Sequence, residues 1–362
     1  MQVAGALLGL VLIFGVLRDA FETVILPRRV SGVRLSKIFY RSTWKPWAAA
    51  ARRMPPSDRR ETFLSYYGPL SLLVLFVLWG VALIGGFALV LWGANYGPLN
   101  TFDNLYVSAT NFTTLGLGDF TPHTELARFV TVVEAGVGFG FLAVVISYLP
   151  ILYQSFSRRE AAISVLDEWA GSPPSAAELF RRASNAGAMD ELQPLLNRWE
   201  EWTAELLESH LSYQVLSYFR SQHENESWVA ALTAIMDLAA AWLATQVEGE
   251  TWAARRVYAI GRHALGDLSQ VLNAPPRFDA PDRLKDEDVA TIHRDLSAAG
   301  VTVDLATFRE RLTSLRRGYE PYAAALSHEL VMELPPWLPE PGRKDNWETT
   351  AWEGSAPGES LH

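Results

Sequence analysis

Residues 62–102 contain no charged side chain, 41 positions in a row. A helix that crosses a bilayer needs about 20 apolar residues. Residues 70–92 supply them, with Tyr66 and Tyr67 ahead and Trp92 and Tyr96 behind, where interfacial aromatic belts belong. A second span is expected at 127–153, holding one acid, Glu134. A shorter candidate covers residues 3–26. Its apolar core, 3–17, has 15 residues, and Arg18, Asp19 and Glu22 follow on the same helix at the membrane surface. A cleaved signal peptide is the alternative for this segment. No basic region precedes the apolar run and no small-residue cleavage site follows it, so the membrane helix is preferred.

Charge divides the chain. Residues 27–62 carry ten Lys or Arg against Asp58 and Glu61, and no Lys or Arg occurs between Arg60 and Arg128. The positive-inside rule makes the basic 27–62 linker cytoplasmic and the 96–125 connection external. The same basic residues suit contact with anionic lipid. Three spans then place the N-terminus outside and everything after Tyr153 inside. Residues 1–156 hold 12 basic and 8 acidic side chains; residues 157–362 hold 19 and 32. The mean hydropathy of +0.07 is thus the average of a charge-poor part in lipid and an acidic part in water. The acidic balance disfavours a nucleic-acid partner. The absence of cysteine excludes disulfides, thiolate metal sites and a cysteine nucleophile.

The external connection has its own pattern. Residues 103–113 have helical spacing, with Leu105, Ala109 and Phe112 on one side. Such a helix is roughly 16 Å long, half a bilayer. Thr113, Thr114, Leu115, Gly116, Leu117, Gly118 and Asp119 follow. Alternate glycines open backbone angles closed to other residues. Irregular backbone at membrane depth is tolerated only where protein buries it or water lines it. Rings of carbonyls that replace an ion's hydration shell are one such structure.

Residues 113–119 resemble the potassium-channel selectivity filter, usually T-x-G-Y-G-D, preceded by a half-membrane pore helix and flanked by two spans. The arrangement is similar to the two-helix pore module, and more closely to bacterial single-pore channels related to two-pore-domain channels. The resemblance covers roughly a quarter of the chain. It implies that carbonyls of Thr114, Leu115, Gly116 and Leu117 bind K+, with Gly118 completing the filter. It also implies that the Thr114 hydroxyl closes the inner end, Thr113 ends the pore helix, and Asp119 stands at the outer mouth. Leu117 departs from the usual Tyr or Phe and cannot donate the hydrogen bond by which a tyrosine braces the filter. One filter per chain implies a homotetramer.

The last span carries Gly136, Gly138 and Gly140. No strand precedes them, so a nucleotide-binding glycine loop fails its context test. Close helix packing is one reading of these small residues. A gating hinge is the other: Gly138 lies where the resembling channels commonly place an inner-helix glycine. Pro150 removes a backbone donor near the cytoplasmic end and is a second hinge candidate. Glu134 is expected as a buried acid behind the filter. No span carries Lys or Arg at every third position, so no voltage sensor is expected.

Residues 157–330 are expected to form an acidic helical domain. Ser175 and Glu178 have capping-box spacing after Pro173 and Pro174. Helical periodicity marks 191–210, 227–247, 251–271, 287–299 and 304–330. Residues 273–282 read as a loop and 331–362 as a flexible Pro-rich tail. His210, His223 and His263 lie near acids, but the Glu-x-x-His spacing of bundle metal sites is absent. The fold class is therefore an all-α membrane protein. An N-terminal helix (1–26) and the linker precede a pore module (63–156), made of an outer helix 66–94, pore helix and filter 100–122, and inner helix 126–153. The acidic domain and tail follow. The expected function is a homotetrameric K+ channel in a bilayer, not an enzyme, with K+ as permeant ion and no organic cofactor. A weakly selective cation channel and a membrane-anchored scaffold with a degenerate pore are the alternatives.

Overall fold

The computed structural model describes residues 2–26, 34–94, 101–222, 226–245 and 251–339. Tyr96, His223, Arg28, Arg29 and residues 340–362 lie outside them. Among the described residues the chain is helical, without strands. In chain order the helices are α1 (Gln2–Val24), α2 (Leu35–Arg52), α3 (Asp58–Ser65), α4 (Tyr67–Gly93), α5 (Thr101–Phe112) and α6 (Glu125–Ala170). They continue with α7 (Ala176–Asn185), α8 (Leu192–Ser212), α9 (Trp228–Thr245), α10 (Trp252–Val271), α11 (Asp286–Ala298), α12 (Leu305–Arg316) and α13 (Glu320–Leu330). Two compact units result: residues 1–49 with 65–154, and residues 50–64 with 155–362.

In the first unit α1 lies along α4, joined by small residues. A Cβ at Gly9 would stand 2.5 Å from the Gly86 carbonyl oxygen, and one at Gly93 would stand 2.4 Å from the Ala6 Cβ. This is the small-residue contact by which membrane helices approach closely. The acids of α1, expected at the membrane surface, are enclosed by protein. Asp19 is 4% exposed and accepts hydrogen bonds from Trp79 Nε1 (3.0 Å), the Ser36 amide (3.0 Å) and Ser36 Oγ (3.2 Å). Glu22 is paired by Arg18 at 2.7 Å and Arg34 at 3.3 Å.

The basic linker requires correction, because helices α2 and α3 occupy most of it. Tyr40, Trp44 and Ala48 recur every fourth residue and are buried, while Lys37, Arg41 and Lys45 face outward. The Tyr67 hydroxyl donates to the Tyr40 carbonyl (3.1 Å), and the Trp44 ring stands 4.7 Å from that of Tyr67. The inner helix also outlasts its expected end at residue 153. Pro150 lies inside α6 without ending it, and the helix runs 46 residues to Ala170, just ahead of Gly171, about 69 Å at 1.5 Å per residue. The change to polar sequence at Ser157 alters the solvent a helix suits without ending it.

In the second unit α9 is the core. Its 18 residues are apolar enough to cross a membrane, yet 94% of them are buried in the protein, against 11–44% for the most apolar stretches of the α1, α3–α4 and α6 spans. Helices α7, α8, α10, α12 and α13 pack around it. The predicted 304–330 helix is two helices, α12 and α13. Gly318 lies at the break, where a Cβ would stand 2.5 Å from Tyr258 Oη, and Pro321 starts the second helix. Ser175 caps α7 by accepting from the Glu178 amide, but Glu178 turns to Arg181 and Arg182, so the reciprocal half of the capping box is missing.

Arg159, on the continuation of α6, is buried and donates to Glu160 (2.8 Å), the Leu216 carbonyl (3.0 Å) and the Phe219 carbonyl (2.9 Å). It also lies 3.2 Å from His210 Nε2. A guanidinium only donates. His210 Nε2 therefore accepts, and the Nδ1 proton goes to the Leu206 carbonyl at 2.8 Å. Burial, with the Arg159 charge second, holds the His210 pKa well below its ordinary value. The unfolded chain then binds a proton at pH below about 6.5 that the native chain refuses. Stability is full above that pH and falls by about 1.4 kcal/mol per unit as pH drops through the window below it. His210→Gln is expected to flatten this slope between pH 6.5 and 5, read as the melting temperature of the helical unit.

The start of the expected flexible tail is docked. Trp337 is 1% exposed; its carbonyl accepts from Ser175 Oγ at 2.8 Å, and Arg283 and Arg316 lie 5.8 and 5.6 Å from its ring. A lone indole in a Pro-rich stretch that runs into polar sequence hides this anchor from a composition-based reading. Trp337→Ala is expected to destabilise the unit by about 3–5 kcal/mol, visible as a lowered melting transition. Nearby, buried Asp237 receives Arg283 bidentately at 2.7 and 3.0 Å and the Tyr319 hydroxyl at 2.5 Å. His263 pairs with Asp267 at 3.6 Å. Among the described residues no three His, Asp or Glu side chains gather as a metal-holding group.

Candidate functional site

The candidate site is the segment that leaves α5. The helix ends at Phe112, one residue before Thr113. The chain then folds back on the helix end: the Thr114 amide donates to Asn111 O (3.0 Å), and the Leu115 and Gly116 amides both donate to Thr110 O, at 2.8 and 3.1 Å. From there φ is positive at every second residue: 60° at Thr114, 51° at Gly116 and 76° at Gly118. Glycine takes this region without steric penalty. At Thr114 a non-glycine residue is held there, the kind of local strain that gathers at functional positions. Leu115 and Leu117 are 61% and 60% exposed on the single chain.

Asp119, next along, accepts a hydrogen bond from the Tyr106 hydroxyl of α5 at 3.0 Å, and the Tyr106 ring meets Phe120 edge-on at 6.0 Å. The far end of the loop is thus tied to α5 from the side. Tyr106 was not singled out in the sequence. Its only signal there is a lone hydroxyl-bearing aromatic on the helix ahead of an acid.

Two positions of α6 support α5 from behind. Glu134 is fully buried and hydrogen-bonded by Ser108 of α5, whose Oγ also lies 2.7 Å from the Ile84 carbonyl oxygen of α4. One serine, itself fully buried, joins three helices. Gly138 meets the end of α5: a Cβ there would stand 1.9 Å from the Phe112 carbonyl oxygen. Phe112 and Phe141 rings lie 5.8 Å apart beside Gly80. Glu134 and Gly138 therefore join the site. Pro150 does not: it lies 12 residues beyond Gly138 inside an unbroken helix, about 18 Å away along the axis.

Residues 72–155 match the family model Ion_trans_2, described as ion channel. The matched span starts in α4, contains α5 and the whole Thr113–Asp119 segment, and ends in α6. It covers roughly a quarter of the chain. The chain thus carries an ion channel domain on apolar helices, as a membrane protein does. No curated protein and no solved structure matches the chain. The ion channel domain includes all the candidate residues named above, and the helical domain that follows lies outside the match.

Proposed function

We propose that the protein is a homotetrameric potassium channel of the cell membrane. In this proposal K+ passes carbonyls of Thr114, Leu115, Gly116 and Leu117, and Asp119 attracts cations at the outer mouth. One observation carries the reading: φ is positive at every second residue from Thr114 to Gly118, at the end of a half-membrane helix within the ion channel domain. Alternation of this kind lets a strand turn successive carbonyls to one side, as in the carbonyl rings that replace an ion's hydration shell. A single strand cannot surround an ion; four related by rotation can. The exposed Leu115 and Leu117 leave room for neighbouring copies. Gly138 and Pro150 remain the hinge candidates, and the acidic helical domain regulates the pore. The basic side of the linker faces the cytoplasm and the N-terminus lies outside.

The test is flux from liposomes holding purified protein, with K+ and Na+ gradients measured separately. Potassium flux alone is the expected result. Equal fluxes would favour the weakly selective cation channel, for which Leu117 speaks, since its side chain cannot brace the filter by a hydrogen bond. Intact tetramers without flux would favour the scaffold and overturn the proposal.

A further inference from the structure

A cavity of about 400 Å³ opens on the helical unit beside α10, the α12–α13 break and the 273–282 loop. Its lining includes Arg262, His263, Asp267, Phe278, Arg317 and Tyr322. The volume is in the range of small-molecule sites. Neither Arg262 nor Arg317 makes an ion pair among the described residues. The cavity's one carboxylate, Asp267, is engaged by His263 at 3.6 Å. Arginines closer to the core are matched: Arg283 with Asp237 and Glu320, and Arg316 with Asp282 and Glu320. The cavity is therefore a local positive site in a C-terminal part (residues 157–362) with 13 more acidic than basic side chains. Gly318 sets its shape. A Cβ there would stand 3.7 Å from Arg262 Cδ, so the chain at Arg317 adjoins the Arg262 stem. Phe278 is 77% exposed, an apolar ring held in solvent on the loop.

We propose that this cavity binds a nucleotide, with the phosphates between Arg262 and Arg317 and the base against Phe278 and Tyr322. Guanidinium forks match phosphate oxygens in geometry and charge. Exposed aromatic rings supply stacking area that a simple anion cannot use. An apolar ligand would leave both guanidiniums unanswered. The proposal is independent of what the pore conducts.

The test is calorimetric titration of the full-length protein in detergent with ADP, inorganic phosphate and adenosine. ADP is expected to bind saturably, and the other two at least tenfold more weakly. The double variant Arg262→Gln/Arg317→Gln is expected to weaken ADP at least tenfold, and Phe278→Ala about fivefold or more. All these side chains are exposed or half-buried, and an unchanged melting temperature checks that the variants fold. No saturable ADP binding, equal binding of ADP and phosphate, or full affinity in the double arginine variant would each overturn the proposal.

Discussion

Gly116→Ala and Gly118→Asp are expected to abolish potassium flux while tetramers still assemble. Both glycines have positive φ, 51° and 76°. An L-residue there costs about 1–2 kcal/mol, and fourfold symmetry imposes that cost four times around one axis. The backbone relieves it by rotating the peptide plane, which turns a carbonyl away from the ion path. Assembly survives because neither glycine packs within its own chain: a Cβ at either one meets nothing within 4 Å. The measurement pairs liposome flux with the oligomer size of each variant. Unchanged flux in both variants would sink the pore assignment.

The backbone of the candidate segment was legible because its chemistry is local. Alternate glycines in residues 113–119 state the backbone conformation directly, and the structure has positive φ at Gly116 and Gly118. The extra position, Thr114, could not be read, since threonine ordinarily avoids that region. The half-membrane helix was legible for the same reason: α5 begins and ends within two residues of expectation. What failed to show were partners far apart in sequence. Ser108 has no pattern of its own; its role depends on Glu134 arriving 26 residues later from another helix. Tyr106 and Asp119 are hidden in the same way. Boundaries set by polarity also misled. The basic 27–62 segment reads as a loop because its charges dominate, yet Tyr40, Trp44 and Ala48 at every fourth position encode a helix with one face buried. The 331–339 segment reads as tail until the indole of Trp337 is seen in the core.

The second large effect is expected at Gly138, where it also separates the two readings of that glycine. Gly138→Ala places a Cβ 1.9 Å from the Phe112 carbonyl oxygen. The atom in the way is backbone at the end of α5, so no side chain can swing aside. Overpacking of cores ordinarily costs about 1–3 kcal/mol, and a clash with fixed backbone belongs at the top of that range. Either α6 or the end of α5 must move, and the proposed filter starts two residues after Phe112. Loss of flux is expected together with a lower melting temperature and poorer tetramer yield. A glycine serving only as a hinge would behave differently: alanine would leave stability unchanged or slightly raised and alter only opening. Gly136→Ala and Gly140→Ala are the controls, because a Cβ at either site meets nothing within 4 Å in the chain. Replacing a helical glycine by alanine in open space gains up to about 1 kcal/mol. Both controls should therefore assemble and conduct. If Gly138→Ala is as stable as they are and differs only in flux, close packing is not its role and the hinge reading stands.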